Sequence, residues 1–290
     1  MPGNELDVIL TSALRVLLFI FMAGSLLEMG LGLSGRDALK GLRDPRFLTY
    51  GVAFSFVLGP LLAWVLTRII PLDQPYAVGL LLLAMAPCAP FLPALVNRAR
   101  GDIRYAPAML LLSAIGTVVL MTAAAPLLVP DLALDAWTIA RPLVIMVLLP
   151  LLVGMALFGF MPALAAAIRP GVKRGSTIAA VALLVLCVVM YGPDFISTIG
   201  SFAIGAQFLF LGLLTAISYR FSRGLGQAQR SVLALGLATR NVGAAIAPLL
   251  AAPDIDQRAI VMVALGVPLQ IACGLVAAAW FARDAQPISA

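Results

Sequence analysis

The chain has 290 residues, of which 62% are hydrophobic and only 11% charged. That is more apolar sequence than a soluble core can bury, so the class is an all-α polytopic membrane protein whose surplus apolar surface faces the lipid bilayer. The net charge of +6 is scattered over short loops, which excludes a nucleic acid partner, and with no histidine and three mutually distant cysteines (Cys88, Cys187, Cys273) neither a metal site nor a disulfide framework is expected.

In chain order, nine apolar runs are long enough to cross a bilayer, at about 20 residues each. They cover about 8–33, 46–70, 75–100, 104–129, 136–160, 172–192, 194–220, 226–251 and 256–282. Turn formers separate them: Ser34-Gly35, Asp73-Gln74-Pro75, Gly101-Asp102, Pro130-Asp131, Pro170-Gly171, Gly192-Pro193-Asp194 and Pro253-Asp254. No linker is long enough to separate soluble domains, so residues 1–290 read as one transmembrane unit. The first run is too long for the apolar segment of a signal peptide and lacks a basic flank, so no cleavable signal is expected.

Charge sets the direction. One set of loops holds fourteen Lys and Arg between Arg36 and Arg283, and the other holds only Arg68 and Arg258. Basic loops stay on the cytoplasmic side, so the expectation is an integral protein of a bacterial inner membrane with its N-terminus outside and its C-terminus in the cytoplasm. The tryptophans and most tyrosines fall near span ends, where amphipathic rings settle at the headgroups.

Two runs are interrupted. The third contains Pro87, Pro90 and Pro93, each of which removes a backbone donor and crowds the carbonyl four residues back. The eighth contains Thr239, Arg240, Asn241 and Gly243. The two interruptions lie 152 positions apart, and the same offset pairs Gly101-Asp102 with Pro253-Asp254. Runs five apart cross in opposite directions, so the halves read as inverted repeats. The first covers about 8–129 and lacks one helix; the second covers about 136–282. Paired broken helices in such repeats mark a transporter's binding site near the midplane.

The proline run reads either as a kinked packing helix or as a break lining a site. Arg240, mid-span, costs at least about 2.5 kcal/mol on insertion scales. It reads as an internal ion pair, as a cap on free carbonyls, or as a fixed positive charge for an anionic substrate. Asn241, Thr239, Cys88, Ala89 and Pro90 are the other candidate substrate-binding residues; no metal ligand is expected. Glu28 lies late in the first run, within reach of water or Arg36. Arg15 and Arg141 sit near the outer face, where they snorkel. Ser55, Ser113, Thr117 and Gln207 are polar residues in spans that ordinarily bond their own helices.

These motifs resemble the bile acid:sodium symporter family: Met29-Gly30-Leu31-Gly32-Leu33, Gly59-Pro60-Leu61-Leu62-Ala63-Trp64, Ala86-Pro87 through Arg100-Gly101-Asp102, and Arg240-Asn241. The resemblance implies two domains. A panel would hold spans one, five and six, and a core the other six with both crossing helices. It also shows departures. Sodium-coupled members carry Ser-Asn where this chain has Leu92-Pro93, Glu at Gly236, and Gln at Arg240 and Ser55. Sodium is therefore not expected at the family's usual sites, and Arg240 would supply the charge that sodium supplies elsewhere. The function this implies is secondary transport of a small organic anion, bile-acid-like or another carboxylate or sulfonate, by alternating access. The alternatives are an arsenite-type efflux permease, suggested by Cys88 after Ala86-Pro87, or a membrane receptor that binds ligand without moving it. No nucleophile–base pair suggests an enzyme.

Overall fold

Apolar runs with good helix formers give helices, and the computed structural model, which describes residues 3–128, 135–252 and 256–285, is helical with no strand among the described residues. Helix α1 spans Gly3–Gly30, and the short α2 (Gly35–Leu42) follows, its N-terminus capped by the Ser34 side chain, which accepts from the Asp37 N–H. Helix α3 (Pro45–Val52), capped by Asp44, runs through a π turn at Ala53–Leu58 into α4 (Gly59–Ile69). The π turn sits just ahead of Pro60, where it makes room for a ring that would crowd the carbonyl of the preceding turn. The same device recurs: α8 (Ala136–Leu143) passes through a π turn at Val144–Leu148 into α9 (Leu149–Phe160), just ahead of Pro150.

The third and eighth apolar runs are not single helices. The third is α5 (Gln74–Met85) and α6 (Leu92–Arg98); the eighth is α12 (Gln227–Ala238) and α13 (Val242–Ala251). Between and after them lie α7 (Ala106–Leu128), α10 (Pro162–Ser197), α11 (Ala203–Phe221) and α14 (Gln257–Asp284). Among the described residues seven helical stretches are long and apolar enough to cross a membrane, and α5 and α13 are shorter apolar helices.

One expected turn is helical instead: Pro170-Gly171 lies inside α10. Next to Gly192-Pro193-Asp194, by contrast, the helix breaks at Tyr191, where φ −118° and ψ 16° are not helical and two helical segments meet across a kink. Up to the kink the segment 162–190 is about 43 Å long at 1.5 Å per residue, longer than a hydrocarbon core of about 30 Å needs. The chain reverses instead at Met161, and again at 199–202, where Gly200 and Phe202 take positive φ. The turns expected at Pro130-Asp131 and Pro253-Asp254 lie outside the described residues.

Helix α1 packs along α9 and α10, while α14 packs against α5, α11 and α12. The broken helices are the most enclosed elements: Leu80, Leu82 and Leu83 on α5 and Leu233, Leu235 and Leu237 on α12 are fully buried. A helix apolar on every side belongs inside, wrapped by others. By contrast α10 turns Val185, Val188 and Val189 outward, as a lipid-facing helix does. At the acidic end of the bundle, Arg258 bonds Asp73 and Asp256 at 3.0 and 2.9 Å, tying α5 to α14. Hydrogen bonds from Arg258 hold the Asp256 carboxyl below the usual carboxylate range. Two further polar links join the α1–α10 pair to the enclosed helices at this end: Arg15 Nη2 donates to the Leu250 carbonyl at 3.3 Å, and Tyr76 Oη lies 3.2 Å from Ser197 Oγ. Arg15 itself is exposed.

The α1–α9 crossing depends on two glycines. A Cβ at Gly154 would lie 2.6 Å from the Leu27 carbonyl oxygen and 2.8 Å from Gly30 Cα, whereas one at Gly159 on the same helix would meet nothing within 4 Å. Gly154→Ala should therefore destabilise the detergent-solubilised protein by about 1–3 kcal/mol, the usual cost of overpacking. Gly159→Ala should be neutral or slightly stabilising, because alanine is the better helix former. Thermal unfolding of the two variants beside the parent checks the contrast.

Candidate functional site

Where α5 stops, its last carbonyls and the next amides have no helical partners, and the same holds where α12 stops. The two breaks meet and satisfy each other. Pro87 and Arg240 form an isolated antiparallel bridge. Cys88 N–H donates to the Thr239 carbonyl and Asn241 N–H to the Ala86 carbonyl, each at 2.9 Å. Thr239 Oγ1 donates to the Leu235 carbonyl at 3.0 Å and accepts from Ala89 N–H at 3.2 Å. Cys88, at φ 67°, holds the sharp corner, a left-handed conformation that costs a non-glycine residue energy. The sequence-derived set of Cys88, Ala89, Pro90, Thr239, Arg240 and Asn241 is thus brought together at one crossing point.

Side chains finish the junction. Asn241 caps α13: its Oδ1 accepts from Ala244 N–H at 3.1 Å. Gln270, on α14, offers its Oε1 to the Arg240 N–H. A backbone N–H can bond only the oxygen of a carboxamide, so both residues keep their NH2 group as the free end. Neither NH2 makes a hydrogen bond among the described residues, and both residues line the cavity described below.

The Arg240 guanidinium points into the enclosed helices. Nη1 donates to the Ala84 carbonyl at 3.1 Å, and Cζ lies 4.9 Å from the Phe210 ring centre on α11. Nη2 lies beside Gly59, 3.7 Å from where a Cβ on that residue would stand. The residue is 1% exposed, and its Nε and Nη2 have no partner among the described residues. Of the three readings of this arginine, the carbonyl cap is present, and no carboxylate pairs with it among the described residues. For the span polar residues the expectation fails: Ser55, Ser113, Thr117 and Gln207 are buried, yet none of their side chains hydrogen-bonds its own helix among the described residues.

On the other side of the crossing lies a cavity of about 250 Å³, walled by α1, α10, α14 and the two breaks. Ala89, Pro90, Asn241 and Arg240 belong to its wall together with Phe91, Val242 and Gln270. Cys88 and Thr239 lie behind this surface, at 3% and 0% exposure. The apolar walls come from Phe21, Met22, Leu26 and Val267. Met22 seats on Gly243, where a Cβ would come within 2.3 Å of its Cγ, so this glycine lets α1 lie directly against the start of α13. At the cavity's basic end stand Glu28 and Lys173. Glu28 pairs with Arg169 at 2.9 Å, not with Arg36.

Sequence reading missed Gln270, Phe210 and Lys173. Gln270 carried a usable signal, a lone carboxamide in mid-span just after Pro268. Phe210 and Lys173 carried none, since an aromatic in a span and a lysine in a basic loop are ordinary.

Thr239 should matter for stability through its hydroxyl. Thr239→Val keeps the shape but strands the Ala89 N–H, which should cost about 1–3 kcal/mol, while Thr239→Ser should keep most of the parent's stability. Denaturation in detergent of both variants tests this, and equal loss in the two would assign the role to the methyl group instead.

No curated protein sequence matches the chain. A comparison with protein-family models matches residues 16–198, well over half the chain and including the first of the two breaks, to the sodium bile acid symporter family. Together with its apolar helices this makes the chain an integral membrane protein, a transporter rather than an enzyme, and a member of the sodium bile acid symporter family.

Proposed function

We propose that this protein is a secondary transporter of a small organic anion, bound at the crossing of the broken helices and moved without sodium at the family's usual sites. The observation that carries the reading is a buried guanidinium with no carboxylate partner among the described residues, standing immediately behind a cavity whose floor presents two free carboxamide NH2 groups. An unpaired charge in the membrane interior costs several kcal/mol, and an anion in the cavity offsets it. At an effective dielectric of 20, charges about 7 Å apart attract by about 2 kcal/mol, or roughly thirtyfold in affinity. The positive N-terminal end of α13 adds to the attraction. Arg240 acts on the substrate through its field, and Asn241 and Gln270 make the hydrogen bonds. A volume of about 250 Å³ lies below the usual range of drug-sized pockets, which favours a small carboxylate or sulfonate over a bile acid.

Packing supports the rest. A Cβ at Gly236 would come within 2.7 Å of Met109, so that side chain occupies the space a sodium-binding carboxylate would need. Leu92 is fully buried among apolar neighbours. Counting each broken helix as one span gives nine, with α1, α8–α9 and α10 as the panel and the others as the core. The basic end then faces the cytoplasm, the cavity opens inward, and the Arg15–Leu250 and Tyr76–Ser197 links close the outer side.

A thermal-stabilisation screen of small organic anions against the purified protein should find acids that stabilise it, and Arg240→Gln should weaken their binding roughly thirtyfold. Uptake of the same acid into proteoliposomes should proceed equally in sodium and potassium buffers. A steep, saturable sodium requirement would overturn the coupling, and undiminished binding in Arg240→Gln would overturn the site.

A further inference from the structure

The cavity has a second positive pole. Lys173 projects from α10 at its basic end, in a wall it shares with Ser25, Ser176 and Thr177. The one carboxylate beside it in that wall, Glu28, is already bound to Arg169 at 2.9 Å. Lys173 itself makes no ion pair among the described residues. The hydroxyl protons of Ser176 and Thr177 are spent on the Lys173 carbonyl, at 3.1 and 2.8 Å, so neither competes as a donor. The ammonium of the exposed Lys173 and the Ser25 hydroxyl are thus the unspent donors at this end of a cavity whose other end is the crossing point.

The separation of the poles follows from helix geometry. Gly24 on α1 lies against Ser176 on α10, and Glu28 and Gly32 both lie against Arg169, so the helices run antiparallel. Met22, which seats on Gly243, marks the level of the crossing. From there to Lys173 is two residues along α1 and three along α10, or about 7–8 Å at 1.5 Å per residue. The stretch between carries Phe21, Leu26 and Phe91 in the wall, with Ser25 and Ser176 among them.

Resting on the anion reading above, we propose that the substrate is a dianion: one acidic group at the carboxamides of the crossing, a short hydrocarbon spacer, and a second acidic group on Lys173. The lysine sets specificity, because a monoanion of equal length leaves its ammonium unanswered, while a dianion answers both poles.

Dissociation constants for the α,ω-dicarboxylates from succinate to suberate, and for monocarboxylates of matching length such as hexanoate against adipate, test the proposal on the purified full chain. One dicarboxylate should bind the parent at least about tenfold more tightly than its matched monocarboxylate. Lys173→Gln should weaken both acids but the dicarboxylate at least about tenfold more, so that the preference disappears, and Lys173→Arg should restore it. Arg240→Gln should weaken both acids. If monocarboxylates bind through Arg240 with no preference for dianions, or the preference survives in Lys173→Gln, this inference falls and the anion reading stands. If none of the acids binds the parent, both fall together.

Discussion

Two backbone hydrogen bonds hold this architecture at its centre: Cys88 N–H to the Thr239 carbonyl and Asn241 N–H to the Ala86 carbonyl. Hydrocarbon offers no partner to an unwound backbone, so a broken helix in a membrane survives only if something else meets its free groups. Here each break meets the other's. The consequence is geometric. Once α5–α6 and α12–α13 are crossed and pinned, the Arg240 side chain must leave on one face of the junction. The cavity-lining surfaces of Ala89, Pro90 and Asn241 lie on the other.

Charge follows from that division. The guanidinium enters the enclosed helices, where a carbonyl and an aromatic ring receive it, as hydrogen-bond acceptor and as a cation–π partner. Its backbone N–H meanwhile orients Gln270, so one residue fixes both the field and a donor beneath the cavity. At the far end a glutamate and an arginine neutralise each other and leave a lysine over. The cavity is therefore lined by Arg240 at the crossing and Lys173 at its far end, with Phe21, Leu26 and Phe91 between them.

The breaks were legible because they violate local rules. Three prolines inside an apolar run cannot continue a helix, and an arginine in mid-span has no cheap place among lipids. Both breaks, the site residues around them and the family resemblance were visible for that reason. The long α10 was not. Pro170 looks like a turn, yet the helix runs through it, whereas the break expected beside Pro193 is present as the kink at Tyr191. The π turns before Pro60 and Pro150 escaped as well, since they preserve the apolar pattern and change only the hydrogen-bond register.

Sequence alone determined the class, the two interruptions and the residues at them. Those depend on composition and on the intrinsic cost of proline and arginine in hydrocarbon, which are properties of the residues themselves. Tertiary structure decided which way Arg240 points, that Glu28 chooses Arg169 over Arg36, and that Gln270 and Lys173 share one cavity. These are distances between residues up to about 250 positions apart in the chain, fixed by how whole helices pack, and no local preference encodes them.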